Sequence, residues 1–337
     1  MILLDKLKGK STPRTPVWYM RQAGRVLPSY MKLKENYSFW EMIRNKELAA
    51  KVTLLPVYDL GVDAAILFSD ILVIPYAMGM GLDFTDKGPV FENPLKDIKE
   101  PKFNPQPEKL EYIYDAIDEI IKTRPADIPL IGFCGAPLTV LSFMIQGLGS
   151  RSNFQDAVIY IFKEKNKLKK IIDAVTELSI EYALNQIKHG IEVFQLFETN
   201  AGLIPNELYF ELFLPSVKKI SKAVRDTGTP FIYFPKGLGL GLKEINKEIC
   251  DFVSIDWQTP IEKARKLIDK KVGLQGNLDP RILFADKKSI EEELYKFLQF
   301  GKENKNWIFN LGHGFLPETP FENAKFVTDW VKEHLKY

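Results

Sequence analysis

Eight short apolar runs recur along this chain, at 17–20, 64–68, 130–133, 193–197, 231–234, 252–255, 272–274 and 307–310. Most are continuously apolar rather than alternating, the pattern of strands buried on both faces in a parallel sheet covered by helices. Longer amphipathic stretches separate them. Residues 108–122 place Leu110, Ile113, Tyr114, Ile117, Ile120 and Ile121 near a 3.6-residue period, which predicts a helix. Further helices are predicted at 162–189, stopped by Gly190, at 207–226, interrupted by Pro215, and at 243–249, 260–268, 289–300 and 320–335. The Pro-rich stretch 101–107 reads as a loop. No linker or low-complexity segment divides the sequence, so residues 1–337 are expected to form a single domain.

Eight strand–helix units in an undivided chain predict an α/β fold, a (β/α)8 TIM barrel. An open doubly wound sheet is the structural rival. It is weakened because no Gly-x-Gly-x-x-Gly follows an early strand. Residues 237–241 (Gly-Leu-Gly-Leu-Gly) have the wrong spacing and read as a flexible loop.

Composition narrows the function classes. With 337 residues, 45% of them hydrophobic, the chain can bury a large core. A formal charge of +2 argues against a nucleic-acid binder, so any anion recognition should be local. Cys134 and Cys250 lie far apart and suit neither a disulfide framework nor a zinc site. Residues 1–7 are too short and too soon charged for a signal peptide. No apolar run approaches the roughly 18 residues of a membrane span. A cytoplasmic protein is expected.

Chemistry concentrates where the strands end, the place at which barrels carry their active groups. In order, these ends present Arg21, Asp70, Cys134, Glu198, Thr199, Lys236, Asp256, Asn277 and His313. Arg21 and Arg25 flank Gln22, Ala23 and Gly24. Two guanidinium forks around a small Ala-Gly pair suit a polyanion approaching the backbone closely. Asp70 stands between two apolar runs and needs a partner, because an unpaired buried charge is costly; a helix cap is its bland alternative. Glycines on both sides expose His313, which could equally be a solvated loop histidine. Lys236 admits a Schiff-base reading. The Met78-Gly79-Met80 segment suits either a flat apolar pocket or the core.

Several segments together resemble the uroporphyrinogen decarboxylase family: 16–25 (Pro-Val-Trp-Tyr-Met-Arg-Gln-Ala-Gly-Arg), 68–75 (Phe-Ser-Asp-Ile-Leu-Val-Ile-Pro), 132–137 (Gly-Phe-Cys-Gly-Ala-Pro), 197–202 (Phe-Glu-Thr-Asn-Ala-Gly), 275–280 (Gln-Gly-Asn-Leu-Asp-Pro) and 310–314 (Asn-Leu-Gly-His-Gly). The resemblance implies a single-domain (β/α)8 barrel, usually a homodimer, with no metal or organic cofactor. It implies decarboxylation of the four acetates of uroporphyrinogen to give coproporphyrinogen. Carried over by motif, the segment Arg21, Gln22, Ala23, Gly24, Arg25 would bind substrate carboxylates and Asp70 would face the pyrrole N–H groups. Thr199, where many members have serine, and His313 would contact propionates or acetates. Phe143 stands where the family usually has tyrosine, so a hydroxyl able to orient Asp70 or reach substrate is missing and activity is expected to be reduced. Neighbouring guanidinium groups are expected to lower the Asp70 pKa. Rival readings are a zinc-dependent methyltransferase of the same superfamily, for which the chain lacks a His-x-Cys pair, a sugar-phosphate barrel enzyme using Lys236, and a tetrapyrrole-binding protein without turnover.

Overall fold

The computed structural model describes residues 1–85, 88–147 and 153–337. Seven parallel strands form one curled sheet in the order β1 (Ala65–Ile66), β4 (Leu130–Gly135), β5 (Val193–Glu198), β6 (Phe231–Pro235), β7 (Phe252–Ser254), β8 (Gly273–Gln275) and β9 (Trp307–Ile308). Two further strands, β2 (Leu82–Thr85) and β3 (Gly88–Phe91), make a separate antiparallel hairpin. All residues of β4 and β6 are buried, as their continuous apolar sequences require. The predicted strand sites and the barrel-type parallel order are therefore present, although β1, β7 and β9 are shorter than their apolar runs.

The first predicted strand differs most. Segment 17–20 makes only a single bridge, Val17 with Phe309, and no regular ladder. It nevertheless occupies the eighth position, between β9 and β1. On the β9 side the bonds are mainly backbone ones, the Phe309 N–H donating to Pro16 O at 2.9 Å, with the Met20 N–H donating to Asn310 Oδ1 at 3.2 Å beyond them. On the β1 side, side chains take over much of the ladder. Asp63 donates its N–H to Val17 O at 2.8 Å and accepts the Val17 N–H on Oδ2 at 2.8 Å. Gln22 accepts the Tyr19 N–H at 3.0 Å and donates from Nε2 to Ala64 O at 2.9 Å. Arg14 holds Asp63 with two bonds, of 2.7 and 2.6 Å. Inside the barrel, the Trp18 indole N–H donates to Gln275 Oε1 at 3.0 Å, and Gln275 in turn donates to Gln195 and Ser254 at 3.1 Å. This buried polar layer ties the first segment to β8, β5 and β7.

Helices fill the crossovers. Pro215 does divide the predicted 207–226 helix, and the pieces are Asn206–Leu212 and Leu214–Arg225, with Pro215 in the first turn of the second, where a missing N–H costs nothing. The 162–189 pattern resolves into Gln155–Lys163 and Lys165–Lys188. The expected α-helix at 243–249 is absent; a 3-10 segment, Gly239–Glu244, reaches only its first two residues and orders the supposed flexible loop. Sequence periodicity misses Phe39–Arg44 and Lys46–Asp59. Ser38 and Glu41 start the first with reciprocal caps, and the Asn45 side chain starts the second. Pro56 inside Lys46–Asp59 obscures its helical pattern. Among the described residues, no helix is long and apolar enough to cross a membrane.

Because Asp63 joins backbone and Arg14 in a largely buried cluster, Asp63→Ala leaves a mostly buried guanidinium without its carboxylate and frees the Val17 N–H. We expect a loss of about 3–5 kcal/mol of stability, measured by urea or thermal unfolding. A loss below about 1 kcal/mol would show that the first segment is held elsewhere.

Candidate active site

At the C-terminal ends of the strands lies a cavity of about 370 Å3, bounded by Arg21, Ala23, Gly24, Arg25, Asp70, Thr199 and His313 among others. It adjoins a second hollow of about 500 Å3 through shared walls at Arg25, Tyr30, Phe39 and Asp70. That size suits an organic ligand larger than a sugar.

Much of the wall is aromatic. Phe133, Phe197 and Phe234 come from the neighbouring strands β4, β5 and β6 and line the cavity. They meet edge to face, with ring centroids 5.6 Å apart for Phe133–Phe197 and 6.2 Å for Phe197–Phe234. The row continues to the His313 ring, 6.2 Å from Phe234. Phe68 contacts Tyr30 and Phe39 on another side. Sequence reasoning missed these rings because they read as core. Their signal is positional: each is the aromatic residue of a strand nearest the end that carries the polar groups. Met78 is buried in the core, and neither it nor Met80 lines the cavity.

Arg21 adopts φ of 59°, the left-handed region that side chains rarely occupy. This turn ends the first segment and sends the guanidinium into the cavity. Its aliphatic stem crosses Gly314 so closely that a Cβ there would lie 2.5 Å from Arg21 Cγ and Cδ. The side chain keeps accessible surface, yet that surface faces the cavity, and the surrounding protein lowers the Arg21 pKa despite the opposing pull of Asp70. Arg25 lines both hollows.

Asp70 accepts the Leu72 N–H on Oδ1 at 2.8 Å, a local turn that leads into helix Val73–Ala77. The expectation that guanidinium groups depress its pKa is overturned. Loss of hydration dominates and raises the carboxyl to about 6, while the Leu72 N–H and Arg21 only partly offset this. Asp70 is thus ionised at pH 7 but close to its midpoint.

His313 accepts the Gly314 N–H on Nδ1 at 2.7 Å, which leaves its proton on Nε2. Burial first, then the charges of Arg21 and Lys236, bring its pKa down to about 3. It is a neutral hydrogen-bond donor at working pH.

Other candidates lie outside the wall. Gln22 is fully buried, with both ends of its amide engaged by backbone. Phe143 lies on helix Pro137–Gln146, its ring 4.9 Å from that of Phe154, and packs in an apolar cluster with Ile71, Leu72 and Phe84. Lys236 ends β6 just beyond the cavity, its Nζ 5.6 Å from the Trp257 ring centre. Glu198 is buried at the start of helix Pro137–Gln146, accepting the Thr139 N–H at 2.7 Å and its hydroxyl at 2.6 Å. Asp256 binds the N–H groups of Gly237 and Gln258, and Asn277 donates to the carbonyls of Asp256 and Thr259. Cys134 is buried, with its thiol pushed up to about 12 by burial, which makes it an unreactive sulfur. Among the described residues no three His, Cys, Asp or Glu side chains converge on a metal-sized site.

The raised Asp70 pKa has a sign that stability measurements can read. Its contribution to stability is fully present below about pH 3.8 and is lost as pH rises through about 6. Asp70→Asn keeps the Leu72 bond and removes that loss. Above pH 7 we expect the variant to be as stable as the parent or up to about 2 kcal/mol more so, with the difference vanishing near pH 4. Melting curves across this range check it; a variant less stable at pH 8 would contradict the dominance of desolvation.

The comparisons with known proteins agree in direction. The family model described as "Uroporphyrinogen decarboxylase (URO-D)" matches residues 2–334. A uroporphyrinogen decarboxylase of Rickettsia conorii is 40% identical over 337 residues, covering 98% of this chain and 96% of its own. One of Campylobacter hominis is 42% identical over 340 residues, with 99% of each chain covered. Among solved structures, a methyltransferase from Methanosarcina mazei superposes with a TM-score of 0.78 at 21% identity, covering 98% of this chain and 97% of its own. A B12-independent methionine synthase from Shewanella gives 0.57 at 13% identity, covering 89% and 91%. At those identities the two structures speak for the fold alone. On the strength of the full-length family match and these relatives, the chain belongs to the uroporphyrinogen decarboxylase family.

Proposed function

We propose that this protein removes carbon dioxide from the four acetate side chains of uroporphyrinogen, giving coproporphyrinogen in porphyrin and haem biosynthesis, as a cofactor-independent carboxy-lyase. The observation that carries the reading is a single carboxyl, Asp70, set with Arg21 and Arg25 in a cavity whose wall is otherwise mostly apolar and rich in aromatic rings. Family membership favours this over a methyltransferase or a binder without turnover.

The chemistry follows from the substrate. Protonation of a pyrrole α-carbon makes a cationic ring that draws electrons from the breaking C–C bond, so the pyrrole does what a cofactor does elsewhere. Carbon dioxide departs and a second proton takes its place on the side chain; the ring returns its proton. The protein must stabilise a cation and hold carboxylates. An ionised Asp70 meets the first need with a fixed, poorly hydrated charge. Arg21 and Arg25 meet the second with their donor forks. Both arginines also stand at the reacting edge as candidate proton donors, and the donor is assigned to neither. Ala23 and Gly24 leave the wall shallow between the arginines. Thr199 and the Nε2–H of His313 offer neutral donors to further carboxylates. Gln22 acts at one remove by fixing the backbone that carries Arg21. On the same family resemblance we place the protein in the cytoplasm as a homodimer that engages neither nucleic acid nor membrane.

Anaerobic incubation with uroporphyrinogen, followed by oxidation and separation by carboxyl count, should yield the four-carboxylate product. Unchanged eight-carboxylate material would sink the reading. Asp70→Asn should cost about 10²–10³-fold in kcat with substrate binding much less affected; near-normal turnover would remove Asp70 from the chemistry. At position 143, a hydroxyl bonded to a charged group contributes about 1.5–3 kcal/mol. Phe143→Tyr should therefore raise kcat/KM about tenfold or more, and an unchanged value would assign this position to packing.

A further inference from the structure

The sheet order places Lys236 where the function has not yet used it. Counting segment 17–20 as the first of eight positions, β6 is the fifth, across the barrel mouth from the segment that carries Arg21 and Arg25. Phe234 of β6 lines the cavity. Two residues on, Lys236 opens the turn that follows β6, at the rim of the barrel mouth. The Lys236 ammonium lies 5.6 Å from the Trp257 ring, and Trp257 lies 6.1 Å from His313.

Its backbone is held firmly. The Lys236 N–H donates to Glu198 O at 3.0 Å, and Lys236 O accepts the Gly202 N–H at 3.0 Å. The next residue, Gly237, donates to Asp256 at 2.7 Å. Gly202 and Gly237 approach so closely that a Cβ on Gly202 would lie 2.7 Å from Gly237 O. The cation itself is uncommitted. Among the described residues the Lys236 ammonium has no ion pair or side-chain hydrogen bond; it lies over the Trp257 face, and its charge bears on His313. Arg281, on the same tryptophan, differs in being pinned by Asp279 at 2.6 Å.

Resting on the decarboxylase reading, we propose that Lys236 is a substrate-positioning residue that anchors a carboxylate on the far side of the macrocycle from Arg21 and Arg25, and thereby favours porphyrinogens that still carry their acetates over the decarboxylated product. A substrate with carboxylates around its whole edge needs cations on more than one side of the cavity. Thr199, on the adjoining strand end, and His313 supply only neutral donors there. Each decarboxylation removes one negative charge, so an attraction of this kind weakens as the reaction proceeds and lets the product leave.

The test compares Lys236→Met and Lys236→Arg with the parent on the eight-carboxylate substrate and on the five-carboxylate intermediate. For Lys236→Met we expect KM for uroporphyrinogen to rise fivefold or more, by a larger factor than kcat falls. The preference in kcat/KM for eight over five carboxylates should shrink, and so should its dependence on salt. Lys236→Arg should recover most of the loss, with melting temperatures alike in all three proteins. KM values within twofold of the parent for both substrates overturn the proposal. So does a fall in kcat at unchanged KM, which would make Lys236 a modulator of His313. If the parent itself fails to turn over uroporphyrinogen, the decarboxylase reading fails separately. Fluorescence titration with uroporphyrin then decides the anchor: weaker binding by Lys236→Met supports it, and equal binding overturns it.

Discussion

The geometry of this site depends on how segment 17–20 is fastened without a full strand ladder. One edge of the segment bonds to β9 through backbone, whereas on the other Asp63 and Gln22 stand in for missing strand partners. Side-chain bonds are tied to particular atoms, so they fix register where a short ladder would slip. Arg21 leaves this segment through a left-handed turn, and Asp70 leaves the adjoining β1. The stitch between the two staves therefore sets the distance between cation and carboxyl. Trp18, reaching Gln275 through the barrel interior, ties the same segment to β8, the next strand but one.

Electrostatic behaviour in the cavity follows from scarce water more than from pairing. Asp70 forms no recorded ion pair with either arginine among the described residues. Dehydration raises its pKa while lowering those of Arg21 and His313. All three shifts favour the uncharged form, and each is the direction expected of a group placed in a poor solvent. A charged substrate entering such a cavity finds donors already fixed in place by the fold, which is the basis of preorganised stabilisation.

Much of this was legible in the sequence, for identifiable reasons. Strands β4 and β6 announced themselves because burial on both faces leaves no room for polar residues. Asp70 and the two arginines stood out because charge interrupts apolar runs there. The structural bonds of Gln22 were not legible, because adjacency to Arg21 and Arg25 says nothing about which way an amide turns; its long-range bond to Ala64 appears only in three dimensions. The direction of the Asp70 shift was missed for a related reason. The sequence shows which charges are near along the chain but not how much water the fold excludes. Phe133, Phe197 and Phe234 were hidden by their resemblance to core, since an apolar wall and an apolar interior have the same composition. Helix Lys46–Asp59 was hidden by Pro56 within it.

The row of rings from Phe133 to His313 has a consequence for a reaction that must be repeated four times on one molecule. Aromatic edges and faces offer a disc-shaped substrate no hydrogen-bond notches along most of the wall. Turning the disc by a quarter revolution exchanges one pyrrole for its neighbour while leaving contact with the rings almost unchanged. The wall thus behaves as a smooth bearing and the charged groups as its detents. Under the proposed function, such a wall would let one set of charged groups serve every round.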